Sequence, residues 1–540
     1  MNAPNTPNQL DLLSSETATR KPRASAFAER GFRATVEQLQ AEVRELYCAD
    51  DSPWIVGYSG GKDSTATLQL VWSAIAELPT ERRRKPIHVI STDTLVENPI
   101  VSAWVERSIR TMKEAAHVQG VPIEPRMLWP ELQDRFWVNL IGRGYPAPRH
   151  KFRWCTERLK ILPSNRFISK IVSKNGQAIL CLGTRKAESS QRSAVMQKHE
   201  VGRVRDRLSP NSKLPGSWVY TPIESWTNDD VWFFLMQEAN IWGFDNRELL
   251  QMYAGASEDG ECPLVVDDST PSCGDSRFGC WVCTMVEQDR SMTAMIQNDV
   301  EKEWMLPLLD LRNALDFRGG RQDALGNPDT DRHLRDFRRM NGSVQIMQGG
   351  RPIPGPYVQE ARENWLRMLL KAQCHIRKHG PDEVRDLELI KLEELQEIRR
   401  IWVIDKHELE DRLPGIYEEV TGEPYPGTPL DDNLSLGAAE MALLRELCGE
   451  DRLHYELTRE LLSITRQQRS SARRARLNQR IEQAFARHYF DDADDAIARA
   501  RASAEARKAL DQRRAGVGGP PDLVDAAMPA TGQTATESGA

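Results

Sequence analysis

The feature that most constrains the fold is a glycine pair placed between two apolar segments. The first segment, Trp54 to Val56, predicts a short buried strand. The second predicts a helix, because its apolar residues recur at helical spacing: Leu68, Val71, Trp72, Ile75 and Leu78. Between them lies SGGKDS, residues 59–64. A glycine-rich turn from a strand into a helix favours phosphate, because backbone amides and the helix N-terminus both attract an anion.

This turn is not a Walker A loop. A Walker A loop requires glycine, four further residues and then Gly-Lys-Ser or Gly-Lys-Thr. In this chain Val56 occupies the first glycine position, and Asp63 follows Lys62. Both ends of the motif therefore differ.

Further apolar segments predict the fold class. Residues 54–58, 87–91, 121–127 and 178–183 predict strands, and residues 65–78 and 100–116 predict helices. Alternation of this kind is typical of right-handed crossovers in a parallel sheet. We therefore expect an α/β fold with a doubly wound parallel sheet. Strand patterns stop near residue 290, and the chain beyond it predicts a helical C-terminal extension.

Composition excludes some classes of protein. The net charge is −7, from 72 basic and 79 acidic residues, so the chain as a whole has no nucleic-acid signature. No apolar run reaches the length of about 18 residues that a membrane-spanning helix needs, and the N-terminus lacks a signal-peptide pattern. We expect a soluble cytoplasmic protein without membrane contact.

Four of the nine cysteines crowd together. They are separated by ten, six and two residues: Cys262, Cys273, Cys280 and Cys283. Such a set suits either tetrahedral zinc or a [4Fe–4S] cluster, and free buried thiols are the alternative. Zinc sites more often have two Cys-x-x-Cys pairs, whereas this set has one, which favours iron–sulfur.

Two segments are strongly basic. Between residues 143 and 160 a single acid, Glu157, faces seven basic or imidazole side chains: Arg143, Arg149, His150, Lys151, Arg153, Arg158 and Lys160. This charge predicts a polyanion nearby, with a solvated loop as the alternative. A second, acid-free run contains Arg466, Arg469, Arg473, Arg474, Arg476 and Arg480. It suits either nucleic acid or an acidic protein, and both interpretations stay open.

The SGGKDS loop resembles that of the PP-loop ATP pyrophosphatases, which cleave ATP between the α and β phosphates. Four more segments resemble the PAPS reductase branch, and the resemblance covers about residues 50–285. They are Asp93-Thr94; Arg153-Trp154-Cys155-Thr156 with Lys160; Gly183-Thr184-Arg185 with Glu188, Ser189 and Arg192; and Pro222-Ile223 with Trp226 and Val231-Trp232. The Glu-Cys-Gly segment of authentic reductases is absent, Glu261-Cys262-Pro263 being nearest. This departure counts against sulfonucleotide reduction.

The whole arrangement resembles the DndC family, the sulfurtransferases of bacterial DNA phosphorothioation. The resemblance implies a [4Fe–4S] cluster, use of ATP with Mg²⁺ to give AMP and pyrophosphate, and DNA as substrate. It also implies partners: a cysteine desulfurase as sulfur donor, and the DndD and DndE components. Alternatives are another PP-loop sulfur enzyme, such as a tRNA thiolase or sulfonucleotide reductase, and a non-catalytic ATP-gated iron–sulfur scaffold.

The resemblance also assigns roles to individual residues. ATP binding is expected of Ser59, Gly60, Gly61, Lys62, Asp63, Ser64, Asp93, Thr94, Arg185 and Arg192. Catalysis is expected of Lys62, Asp63 and Cys155, and cluster binding of Cys262, Cys273, Cys280 and Cys283. For Cys155 two roles stay open, a sulfur carrier or a cluster ligand. Arg153, Arg158 and Lys160 surround it in sequence, and positive charge is expected to lower the pKa of a thiol.

These observations predict six segments. The termini, residues 1–25 and 516–540, are polar or rich in Gly, Pro, Ala and Thr and are expected to be disordered. Residues 26–250 are expected to form the PP-loop domain, and residues 251–290 the four-cysteine segment. Two helical regions follow, at 291–415 and, rich in arginine, at 435–515.

The first prediction separates cluster ligands from a sulfur carrier. Serine at Cys262, Cys273, Cys280 or Cys283 is expected to bleach the broad visible absorption near about 400 nm that [4Fe–4S] clusters show, and to lower the iron content. Cys155→Ser is expected to keep both and to lose sulfur transfer. Anaerobic purification, an absorption spectrum and an iron and zinc count measure this. Iron loss on changing Cys155, with retention on changing Cys262, would place Cys155 among the ligands instead.

Overall fold

A computed structural model shows the fold. It describes residues 24–149, 152–188, 190–200, 203–204, 207–211, 213–257, 278–317, 331–347, 350–431, 434–467 and 477–516. Of the predicted termini, residues 1–23 and 517–540 lie outside these ranges, as do Cys262 and Cys273. The described chain divides into two compact units, residues 1–334 with 357–436, and residues 335–356 with 437–540.

The first unit contains a six-stranded sheet. Its strands are β1 (Trp54–Gly57), β2 (Ile87–Thr92), β3 (Ile123–Leu128), β4 (Ala178–Cys181), β5 (Ser209–Pro210) and β6 (Ser217–Tyr220). The strand order is β3-β2-β1-β4-β6-β5, and every pairing is parallel except that of β5 with β6. The predicted doubly wound α/β sheet is confirmed.

Twelve described α-helices belong to this unit. They are α1 (Phe32–Cys48), α2 (Lys62–Ala76), α3 (Pro99–Gln119), α4 (Leu162–Asn175), α5 (Ser190–Glu200), α6 (Asn228–Gln237), α7 (Asn246–Gly255), α8 (Arg290–Asn298), α9 (Leu306–Leu315), α10 (Gln359–His379), α11 (Leu392–Arg400) and α12 (Arg412–Thr421). The predicted helical character beyond residue 290 is confirmed.

The central strand sets the position of the site. Trp54, Ile55 and Val56 in β1 are fully buried, because β2 and β4 flank the strand and helices cover both faces of the sheet. The strand order reverses between β1 and β4, since β2 and β3 extend to one side and the later strands to the other. In open α/β sheets, ligands bind beyond the carboxyl ends of the strands at this reversal.

A second core joins the later helices to the sheet domain. Trp137, Trp281, Trp365 and Trp402 all belong to it and are buried. The indole nitrogen of Trp402 donates to the Ile141 carbonyl at 3.0 Å, and that of Trp137 donates to the Leu389 carbonyl at 2.8 Å. The chain after residue 290 therefore packs against residues 137–141, which directly precede the basic segment 143–160 that contains Cys155.

The second unit has four described α-helices, all within residues 437–516. Its helices are α13 (Ala438–Cys448), α14 (Arg452–Gln467), α15 (Leu477–His488) and α16 (Ala493–Gly516). Arg338 bonds Asp336 at 2.8 Å and also pairs with Glu456, and this network lowers the pKa of the Glu456 carboxyl to about 2. Within this unit, charged side chains that have little exposure to solvent therefore form ion pairs with each other.

Among the described residues, none of the helices combines the length and the apolar character required to cross a bilayer.

The second prediction tests how closely β4 approaches the phosphate loop. A Cβ on Gly183 would lie 2.6 Å from the Asp63 carbonyl oxygen and 2.9 Å from the Thr67 hydroxyl. Gly183→Ala should therefore destabilise the protein by about 1–3 kcal/mol, since backbone must shift to admit the methyl group. The matched control is Gly415→Ala in α12, where nothing lies within 4 Å. Urea unfolding measures both, and equal stability of the two variants would contradict this packing.

Candidate functional site

The SGGKDS loop turns from β1 into α2 at the predicted place. Gly60 has a φ of 75°, and a Cβ there would lie 2.4 Å from the Val105 side chain, so only glycine fits. Its carbonyl accepts a hydrogen bond from the Trp104 indole at 3.2 Å. Gly61 precedes the helix and has no side chain that would fill the position of an anion at the helix N-terminus. The loop therefore has the geometry of a phosphate cradle.

Three charged side chains meet at this loop. Arg185, which follows β4, donates from Nε to Asp63 Oδ1 at 2.7 Å, and Lys62 Nζ lies 3.5 Å from Asp63 Oδ2. The Arg185 side chain is 4% exposed. Asp63 thus has a cation at each carboxylate oxygen. This arrangement favours a role in positioning Lys62 and Arg185 over a role as the principal metal ligand.

A cavity of about 940 Å³ opens at the carboxyl ends of β1, β2 and β4. Most of the residues expected to bind ATP line it: Ser59, Gly61, Lys62, Asp63, Ser64, Asp93 and Arg185. The volume lies at the upper end of the range for small-molecule sites, about 300–1,000 Å³. Gly60 shapes the turn, Thr94 lies fully buried behind Asp93, and the side chain of Arg192 lies outside the described part of the chain. The structure thus brings together residues that are far apart in sequence.

Asp93 occupies the edge of this cavity after β2. Its carboxylate accepts from the Leu95 amide at 2.8 Å, and burial raises the pKa of the Asp93 carboxyl. Leu95 itself has a φ of 63°, in the left-handed region that a branched residue rarely adopts. The backbone is therefore held in an unfavourable conformation next to the site.

One site residue was missed by sequence reasoning. The Tyr253 hydroxyl accepts from the Lys62 amide at 3.3 Å, and the Lys62 ammonium lies 5.2 Å from the Tyr253 ring centre. Burial raises the pKa of this phenol. Tyr253 lies in α7, 191 residues beyond the loop, so no local pattern marked it.

Part of the cysteine segment attaches directly to this edge of the sheet. The Trp281 amide donates to the Val96 carbonyl at 2.9 Å, and Cys280 forms a β-bridge with Glu97. The Glu97 carboxylate accepts from the Thr94 hydroxyl at 3.0 Å and pairs with Lys160 at 3.1 Å. Cys280 Sγ lies 3.4 Å from the Thr94 hydroxyl. Glu97 and Lys160 also line the cavity. The Cys280 thiol therefore lies next to residues of the same cavity that the phosphate loop lines.

The thiols are less acidic than the sequence suggests. The expectation of a lowered pKa at Cys155 is wrong: burial raises the pKa of its thiol, and the neighbouring charge of Cys283 adds to the effect. Arg158 instead pairs with Asp134 at 2.6 Å, and Lys160 pairs with Glu97. Burial also raises the pKa of the Cys280 thiol to about 12. Burial therefore favours the uncharged form of both thiols.

The described thiols suit a cluster in chemical type. The Cys283 amide donates to the Cys280 carbonyl at 3.0 Å, so the Cys-x-x-Cys pair forms a turn that brings both thiols to one side. Cys155 interacts electrostatically with Cys283. The described residues alone contain no group of three or more His, Cys, Asp or Glu side chains that would hold a metal ion. The predicted ligands Cys262 and Cys273 lie outside those residues.

Three cations of the basic segment 143–160 pair with distant acids. Arg149 pairs with the buried Asp331, and its side chain remains 46% exposed. Together with the Arg158 and Lys160 pairs, this contact lowers the net charge that the local sequence suggests. In the second basic run, Arg480 donates to Gln467 at 2.8 Å, and residues 468–476 lie outside the described part.

Comparison with known proteins agrees with this geometry. Residues 53–243 match the family described as phosphoadenosine phosphosulfate reductase domain. Residues 53–243 form a PAPS reductase-like domain. Members of this family are enzymes of the PP-loop ATP pyrophosphatase and sulfur-transfer type. The matched range begins just before β1 and contains the phosphate loop, Asp93, Cys155, Lys160 and Arg185.

A curated relative resembles the same part of the chain. The uncharacterized protein MJ0066 of Methanocaldococcus jannaschii is 25% identical over 196 residues, which is 36% of this chain and 34% of that protein. The chain thus spans about a third of the length of the curated relative that it matches.

Solved structures overlap at low scores. PAPS reductase from Candida auris in a phosphate complex is 12% identical, with a TM-score of 0.25 over 40% of this chain and 91% of that one. The U34-tRNA thiolase NcsA from Methanococcus maripaludis with its [4Fe–4S] cluster is 14% identical, with a TM-score of 0.26 over 58% and 93%. Overlaps this weak support no inference about chemistry.

The third prediction tests the Asp63–Arg185 contact in the PAPS reductase-like domain. Arg185→Gln should lower ATP affinity by about tenfold or more, because hydrogen bonds of charged groups contribute about 1.5–3 kcal/mol. The control is Arg166→Gln, an exposed arginine of α4 that pairs with Glu131 and lies outside the cavity lining. Calorimetric titration with a non-hydrolysable ATP analogue measures both. Equal affinities of the two variants would remove Arg185 from the nucleotide site.

Proposed function

We propose that this chain is the ATP-dependent sulfurtransferase of DNA backbone phosphorothioation. One observation carries the proposal: Glu97 and Lys160 line the cavity of the phosphate loop and pair with each other, and Glu97 also contacts the Cys280 sulfur. An enzyme that activates an oxygen with ATP and then replaces it with sulfur needs both functions in one place. The resemblance of the residues around the loop and the cysteines to the DndC family supports DNA as the substrate.

The activation step explains the phosphate cradle. A phosphodiester oxygen is a poor leaving group, so it must first be converted into a better one. A non-bridging oxygen of the DNA attacks the α-phosphorus of ATP, the bond from that phosphorus to the bridging oxygen breaks, and pyrophosphate leaves. Lys62 and Arg185, both held by Asp63, would stabilise the negative charge that develops on the phosphates. The DNA oxygen is then part of an adenylate.

The sulfur step exchanges that oxygen. A persulfide on a cysteine of this chain, charged by a cysteine desulfurase, attacks the DNA phosphorus with its terminal sulfur. The phosphorus–oxygen bond breaks, and AMP leaves with the former DNA oxygen. A dithiol reductant then supplies two electrons, which cleave the sulfur–sulfur bond and leave sulfur on phosphorus. Cys155 is the proposed carrier, and the serine substitutions described above test that role.

Two further components fit the residues present. Mg²⁺ would be held mainly by the phosphates of ATP and by water, as is usual for this ion. A [4Fe–4S] cluster would be held by thiolates including Cys280 and Cys283, and the raised pKa of the Cys280 thiol accords with a ligand that loses its proton on binding a metal. When bound, such a cluster supplies a site for sulfur or electron exchange. DndD and DndE are the further partners of the proposed system.

The fourth prediction tests the activation step. Lys62→Ala and Asp63→Ala should abolish DNA-dependent pyrophosphate release, because Lys62 and the Asp63–Arg185 pair supply the charge that the phosphates meet. Circular dichroism checks that each variant keeps its fold. The control is Lys170→Ala, an exposed lysine of α4 outside the cavity. Pyrophosphate release and incorporation of labelled sulfur are measured with DNA and, separately, with tRNA. Full release by both loop variants would dismiss ATP activation, and sulfur in tRNA alone would make the protein a tRNA thiolase.

A further inference from the structure

Phe152 is an exposed aromatic residue beside the thiols. Its side chain is 43% exposed, and it exchanges two backbone hydrogen bonds with Arg149, at 2.7 and 3.2 Å. These bonds fix the backbone at Phe152. A ligand that covers an exposed phenyl ring on a fixed backbone buries apolar surface at little cost in conformational entropy.

The ring ends a row of packed aromatic side chains. Phe152 lies 6.3 Å from Tyr145, measured between ring centres, and Tyr145 lies 5.5 Å from Trp154. Trp154 stacks on the buried Phe136 at 5.3 Å with an angle of 20° between the rings. The indole nitrogen of Trp154 also donates to the Pro146 carbonyl at 2.9 Å. The row runs from the core to the surface, so its outer ring has a rigid support.

The residues just before Phe152 contact the cysteine segment. The Thr284 hydroxyl, next to Cys283, donates to the Pro148 carbonyl at 2.6 Å, next to Arg149. Cys155 follows Phe152 by three residues and interacts electrostatically with Cys283. A ligand that contacts Phe152 therefore lies on the side of the domain where the thiols are.

The charge beside the ring suits a nucleic acid. Arg149 and Arg153 flank Phe152 in sequence and both are exposed, and Arg149 retains 46% exposure while it pairs with Asp331. An aromatic ring between basic side chains is the usual arrangement for binding a nucleic-acid strand, because the ring stacks on bases while the cations contact phosphates. An apolar protein partner would not need the flanking arginines.

We propose that Phe152 stacks on a base of the DNA and so places the adjoining phosphate at the sulfur centre. This inference rests on the proposed action on DNA. The stacking contact would determine which phosphate along the strand reaches the thiols, whereas the flanking arginines would bind any strand. Phe152 is thus a positioning residue for the proposed reaction.

The fifth prediction tests this contact with the full chain and a labelled single-stranded oligonucleotide. Phe152→Ala should weaken binding by about fivefold to about a hundredfold, the usual range for loss of one stacked base, with an unchanged salt slope because no charge is lost. Phe152→Tyr should retain affinity within about twofold. The control is Phe233→Ala, an equally exposed phenylalanine (45%) in α6 that lies outside the cavity lining.

An abasic scan identifies the partner of the ring. One abasic position should weaken binding to the unchanged protein and have no further effect on Phe152→Ala, because two changes that remove the same contact are not additive. Equal affinities of the protein and Phe152→Ala, an equal loss in Phe233→Ala, or full additivity at every position would overturn the inference. So would unchanged DNA binding combined with weaker binding of the cysteine desulfurase. Sulfur incorporation is measured separately, and its absence from the unchanged protein would reject the proposed function alone.

Discussion

The Glu97 carboxylate is the contact on which the candidate site depends. It accepts a hydrogen bond from Thr94, pairs with Lys160 and lies 3.8 Å from the Cys280 sulfur. These groups come from the end of β2, the segment before α4 and the cysteine segment. Together with the hydrogen bond from the Trp281 amide to the Val96 carbonyl, this carboxylate holds Cys280 near the carboxyl ends of the strands. The phosphate loop lies at the same ends. Without this carboxylate, the Lys160 ammonium and the Cys280 thiol would each lose a polar partner.

Burial gives the two halves of the site different electrostatics. At the phosphate loop, Asp63 holds two cations toward the cavity, so an incoming polyphosphate meets positive charge that is already ordered. At the thiols, burial raises the pKa values of Cys155 and Cys280, which favours the uncharged form of both sulfur atoms. A low dielectric strengthens a paired charge and penalises an unpaired one. In the proposed reaction, the phosphates would therefore meet little negative charge from these thiols.

Sequence patterns were most informative where structure is local. The alternation of apolar segments predicted four strands and two helices of the sheet domain, and SGGKDS predicted the glycine turn in which Gly60 has a positive φ. Long-range partners were not predictable: Tyr253 reaches Lys62 from a helix 191 residues away. The basic segment 143–160 illustrates the same limit, because Asp331, Asp134 and Glu97, which pair with its cations, are distant in sequence. Counting charges in one segment overestimates the charge that a ligand meets.

The sequence by itself determined the doubly wound sheet, the phosphate loop and the cysteine pair, since each depends on periodicity or spacing within a few turns of chain. Only the tertiary structure decided that Asp63 pairs with Arg185, that the half-buried Cys155 has a raised pKa, and that Phe152 remains exposed at the end of an aromatic row. The physical reason is that burial and ion pairing depend on which segments meet. These contacts form because the helices beyond residue 290 pack against residues 136–159 in the second core.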